Sequence, residues 1–171
     1  MPAPVLDTKL FRPAPRSGLV ARPRLDERLA PTPETRLTVV SAPAGFGKTT
    51  LLGSWLDTVD QPVAWVSLDE RDGEATTFCT YVLTAIDRAV PGAATDALAQ
   101  LHTGQVPVET VLATLLNELS VLPDDVHLVL DDYHLADTMD VQAGMAFLVE
   151  HLPPQLHLTI GTRAAPPLPL A

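Results

Sequence analysis

Apolar residues fall along this chain in two rhythms. Short runs predict four strands: Leu37 to Ser41, Pro62 to Leu68, Val126 to Leu130, and Gln155 to Thr162 with Leu156, Leu158 and Ile160 alternating. Between the runs, apolar positions recur at helical spacing. One set is Leu51, Leu52, Trp55, Leu56 and Val59, within Thr49 to Val59. A second is Ala75, Phe78, Cys79, Val82, Ile86 and Ala89, stopped by Pro91-Gly92. A third is Val108, Val111, Leu112, Leu115, Leu116 and Leu119, with Pro107 suited to its first turn. The last is Val141, Met145, Leu148, Val149 and Leu152, with Asp140 expected as its cap and Pro153-Pro154 as its end. A short helix over Leu25 to Leu29 follows Pro23. Strands separated by helices imply an α/β fold: a parallel sheet with helices on both faces and right-handed crossovers. No internal repeat is present.

The first strand leads into Ala42-Pro-Ala-Gly-Phe-Gly-Lys-Thr49, and a helix follows. Strand, glycine-containing loop and helix together make a phosphate cradle. Gly45 and Gly47 let the backbone curl so that amide N–H groups converge on phosphate oxygens, and the helix N-terminus adds partial positive charge. Ala44, Gly45, Phe46, Gly47, Lys48, Thr49 and Thr50 are therefore candidate nucleotide contacts. Lys48 is expected to reach the outer phosphates and Thr49 to ligate Mg²⁺. The first motif position, usually glycine, is Ala42, a small residue that the strand end tolerates. A second pattern completes the first. His127-Leu-Val-Leu-Asp-Asp-Tyr133 is an apolar strand ending in two carboxylates. Asp131 is the candidate Mg²⁺ ligand through water. Asp132, with Lys48, is a candidate catalytic residue; it stands where many such enzymes keep a longer glutamate to orient the attacking water, which favours slow turnover.

Composition narrows the partners. At 171 residues the chain is one domain of ordinary size, and its formal charge of −10 leaves no basic face for nucleic acid outside the Arg22-Pro-Arg24 region. No apolar run reaches the ~18 residues of a membrane span, and residues 1–20 hold charges and prolines where a secretory signal is apolar. A single cysteine, Cys79, excludes disulfide scaffolds within the chain and fits a reducing cytoplasm; among Phe78, Val82 and Leu83 it reads as a core residue. Trp55 and Trp65 read likewise as core. The five histidines show no helical metal-site spacing, and His134 reads as a structural residue of the turn after the acids. The expected organisation is an N-terminal extended and short-helical segment over 1–33, a nucleotide-binding core over 34–163, and a proline-rich tail over 164–171.

Several motifs occur in order across nearly the whole chain. They are Thr8-Lys-Leu10, Leu19-Val-Ala-Arg-Pro-Arg-Leu25, Ser41 to Thr50, Trp65-Val-Ser-Leu-Asp69, Leu130-Asp-Asp-Tyr-His-Leu135 and Thr162-Arg163. The combination resembles the N-terminal ATPase domain of MalT-like regulators, LuxR-type bacterial transcriptional activators of the STAND class. That resemblance implies a switch that rests with ADP, exchanges to ATP when an inducer binds elsewhere, and then self-associates. It implies that Leu19 to Arg22 touches the base, with Arg22 a nucleotide contact, and that Arg163 senses the γ-phosphate. The family's arginine after the Asp69 stretch is missing, which leaves any contact of that loop open. The family's fifth strand, lid, sensor and helix-turn-helix are also missing. The chain is thus expected to be a fragment or a truncated product, with the sheet ending at its fourth strand and Leu37 to Ser41 at an edge. Two other readings stand beside the switch: a small-molecule phosphate-loop kinase, disfavoured because no Arg or Lys lies between Tyr133 and Leu158, and a non-catalytic interaction fragment.

Overall fold

In a computed structural model the described residues are 4–14, 18, 22–30, 32 and 34–169. Helix α1 spans Pro23–Leu29, strand β1 Leu37–Ser41 and helix α2 Lys48–Leu56. Strand β2, Val63–Ser67, is followed by helices α3 (Ala75–Ala89), α4 (Thr95–Thr103) and α5 (Val108–Ser120). Strand β3, Val126–Asp131, helix α6, Met139–Glu150, and strand β4, Leu156–Thr162, complete the series. All strand pairs are parallel, in the order β1-β4-β3-β2, so both middle strands lie between neighbours and are buried throughout.

The two-residue period of the strands divides the core. Ala64, Val66, Leu128, Leu130, Leu158 and Ile160 join Phe78, Leu83, Ile86, Leu115 and Met145 of α3, α5 and α6 in the larger cluster. Trp65 and Val129 turn to the other face and meet Leu29 of α1 and Leu52, Trp55 and Leu56 of α2. Helices therefore cover both faces, as expected, and both tryptophans are core. Cys79 is buried in the larger cluster, its thiol pushed up to about 12 by desolvation.

Several elements depart from the sequence-based expectation. Helix α2 closes at Leu56, with turns at Asp57 and Thr58, rather than running to Val59. Helix α4 was not expected at all. Pro107 stands just outside α5 as its N-cap. The cap of α6 is Thr138, whose hydroxyl accepts from Val141 N; Asp140 lies inside the first turn instead. Finally, the tail does more than extend: Pro166 and Leu168 are buried, and Leu168 joins the core against which Leu37 and Val39 pack.

Candidate functional site

The loop between β1 and α2 turns at Gly45 (φ 82°) and Gly47 (φ 75°), both left-handed conformations that glycine adopts without penalty. Gly47 is the N-cap of α2 and offers no side-chain cap, so the first amide N–H groups of the helix stay free to bind an anion. Lys48 Nζ donates to the carbonyls of Ala42 (2.6 Å) and Pro43 (3.2 Å), which hold the ammonium over the loop with one donor to spare. Among the described residues it forms no salt bridge with a carboxylate.

Beneath the loop, Thr49 Oγ1 donates to Asp131 Oδ2 at 2.6 Å, joining groups 82 positions apart in sequence. Asp131 Oδ1 is buried without a hydrogen-bond partner. Desolvation raises the pKa of this carboxyl; repulsion by Asp132 adds to the rise, and the Thr49 hydrogen bond opposes it. Room for the carboxylate comes from β4: a Cβ on Gly161 would lie 2.9 Å from Asp131 Oδ1 and 3.1 Å from Leu52 Cδ1. A hydroxyl and an orphaned carboxylate oxygen side by side are the hard oxygen donors that suit Mg²⁺. Asp132 follows with φ 56°, the only described non-glycine residue at positive φ. Aspartate is among the residues that tolerate this region, and such conformations gather at functional sites.

A cavity of about 440 Å³ opens over these groups, within the range of small-molecule sites. Ala44, Gly45, Gly47, Lys48, Thr49 and Thr50 line it along the loop and helix start, and Asp132 and Arg163 line it at the strand tips. Phe46 is 61% exposed and is not part of the lining. Arg22 is exposed beside α1 and does not line the cavity either; Leu19 to Ala21 lie outside the described residues. Two residues near these groups lie outside the candidates read from the sequence. Arg12, with Pro13 and Ala14, forms a wall of the cavity. His134, read as structural, has both ring nitrogens buried without partners. Its pKa is lowered by desolvation above all; Asp132 opposes, while Arg163 and Lys48 reinforce, so the imidazole stands within the field of all three site charges.

A parallel sheet that brings such a loop and an acidic strand tip together at its carboxyl ends is that of a phosphate-loop NTPase. A model of the AAA ATPase domain family matches residues 21–160, and the chain belongs to that family. Among individual proteins it is similar to those described as HTH-type transcriptional regulator MalT. The relative from Yersinia enterocolitica is 36% identical over 170 residues, and that from Serratia proteamaculans 37% over 169. A third, from Yersinia pestis, is 36% identical over 170. Each alignment covers 98% of this chain and 18% of the relative, so the chain spans about a fifth of the length of the regulators it matches. The likeness to MalT-like regulators read from the motifs thus extends over nearly all of the chain.

Proposed function

We propose that this chain is the ATP-binding switch module of a signal-responsive transcriptional regulator, which holds Mg-ATP or Mg-ADP and hydrolyses ATP slowly. The observation that carries the reading is the 2.6 Å hydrogen bond from Thr49 to Asp131, which unites the phosphate loop with the acidic strand tip. In this reading the free N–H groups at the start of α2 and the Lys48 ammonium bind the phosphates. Thr49 and Asp131 hold Mg²⁺, whose chemistry is to neutralise charge on the phosphate oxygens. Asp132 orients a water, and Arg163 senses the terminal phosphate. The regulatory part of the reading is supported by the MalT relatives. It includes a response to an inducer and contacts with other copies or other regulator domains, with no direct contact of this segment to nucleic acid. Among the described residues no helix is long and apolar enough to cross a membrane.

Calorimetry with Mg-ADP tests the site. Lys48→Ala removes a charge-assisted contact worth ~1.5–3 kcal/mol, so affinity is expected to fall roughly ten- to a hundredfold. Equal affinity in both proteins would refute the assignment. Slow hydrolysis is tested separately by a steady-state assay. Asp132 is a methylene shorter than the usual glutamate, and turnover is expected well below the ~10 s⁻¹ enzyme median. A rate at or above that median would mark an ordinary enzyme rather than a switch.

A further inference from the structure

Among the described residues His134 alone has both ring nitrogens buried without a hydrogen-bond partner. An imidazole that serves the fold is bonded, as His157 is to Thr35 O at 3.0 Å and Asp125 Oδ2 at 2.9 Å. Two desolvated, unpaired nitrogens oppose folding, so a reason for keeping them must lie outside the fold.

The backbone that carries His134 is held firmly. It forms one turn of 3-10 helix, Tyr133–Leu135, which packs against β4. Leu135 N donates to Asp132 O and Ala136 N to Tyr133 O, each at 3.0 Å. Tyr133 and Ala136 are fully buried, and the Tyr133 ring meets Phe78 edge-on with centroids 6.5 Å apart. The chain enters this turn through the left-handed Asp132, at the tip of β3.

Asp132 and Arg163 line the cavity and His134 does not, so the imidazole is placed to act through them. Among the described residues neither Asp132 nor Arg163 forms an ion pair, and Asp132 makes no side-chain cap bond to the turn. Burial, and then the Arg163 and Lys48 charges, hold the imidazole toward its neutral form against the pull of Asp132. A neutral imidazole has one N–H to donate and one nitrogen that accepts. A carboxylate only accepts and a guanidinium only donates, so these two neighbours complement the ring at both nitrogens.

We propose that His134 is a positioning residue for the terminal-phosphate end of the site: it donates to the Asp132 carboxylate and accepts from Arg163, aiming both at the phosphate and its attacking water. This rests on the reading of the loop as a nucleotide site and of Asp132 as the group that orients the water. The two bonds close when bound ATP orders Asp132 and Arg163, as site hydrogen bonds commonly tighten only in the complex.

The test compares wild type, His134→Leu and His134→Gln, the first also combined with Asp132→Ala. In the ligand-free chain His134→Leu removes two unpaired polar atoms, and its melting temperature is expected to equal or exceed that of wild type. By calorimetry it should bind Mg-ADP within twofold of wild type. A non-hydrolysable Mg-ATP analogue should weaken roughly threefold to tenfold, as loss of one hydrogen bond requires. Single-turnover hydrolysis is expected to fall roughly tenfold to a hundredfold, the effect of a misplaced group. His134→Gln keeps a donor and an acceptor and should recover most of that rate. With Asp132→Ala already present, His134→Leu should change the rate less than twofold.

A lowered melting temperature in His134→Leu would return His134 to a structural role and overturn the proposal. So would an unchanged hydrolysis rate, or an equal loss with and without the Asp132 carboxylate. If Lys48→Ala leaves Mg-ADP affinity unchanged, the phosphate-site reading itself falls, and this inference with it.

Discussion

His127 and His157 are register partners on adjacent strands, and their rings stack with centroids 4.9 Å apart. Trp55 meets His127 edge-on at 5.8 Å. His157 has partners for both nitrogens, Thr35 O and Asp125 Oδ2, whereas His127 Nδ1 is buried without one. Desolvation above all, with the neighbouring His157 adding to it and Asp125 only partly opposing, lowers the His127 pKa to about 4. The folded chain thus binds fewer protons than the unfolded chain between pH ~4 and the ordinary histidine value of ~6.5, and stability rises with pH across that window. Its contribution is complete above ~6.5 and is lost as pH falls toward 4, a change of roughly 3 kcal/mol. Urea denaturation at several pH values checks this: His127→Gln should flatten the slope in that window relative to wild type, and an unchanged slope would place the response elsewhere. In sequence these histidines looked scattered, because adjacency across a parallel sheet depends on strand order and register. Asp131 and Thr49 were legible, since each stands at a fixed offset from a strand end. Arg12 was not: what brings it to the cavity is an ion pair to a residue 45 positions away.

At the level of elements, the strands and the long helices followed from apolar periodicity, while the small or externally capped pieces did not. Helix α4 is short, with only four apolar residues, and Glu118 of α5 caps it by accepting from the N–H groups of Asp96 and Ala97 at 2.9 and 3.2 Å. A cap supplied from another helix leaves no local mark in the sequence. The start of α6 shows the converse, because Asp140 resembles a cap but Thr138 performs the task. Thr138 Oγ1 accepts from Val141 N at 3.3 Å and donates to Gly73 O at 2.6 Å, so it ties α6 to the turn after β2. Thr138→Ala is therefore expected to cost about 1–2 kcal/mol in urea melts. Asp140→Ala should cost about 0.5 kcal/mol or less, as an exposed change does. The reverse ranking would restore Asp140 as the cap.

For the molecule as a whole, strand order matters most. β1 pairs only with β4, at residues about 120 positions away in the chain, and it is half-buried where β3 and β4 are fully so. Within the described residues it is a sheet edge. The carbonyl of Arg36 and the N–H of Ala42 bond to β4, and by the two-residue period Val40 faces β4 as well while Val39 faces outward. Hydrogen exchange should therefore be fast at Val39 and slow at Val40. Equal protection at both would mean that something covers the edge, such as a second copy of the chain. The strand with a single neighbour is also the strand that carries the phosphate loop. Opening of β1 and α2 then dismantles the cradle, so a ligand in the cradle opposes the opening. At a hundred times its Kd, Mg-ADP should slow exchange at Val40 by up to about a hundredfold, while Leu128 in the sheet centre changes less. Bound nucleotide would then act as the missing clasp of this edge, and its departure would register as a local loosening, with no large rearrangement of the molecule required.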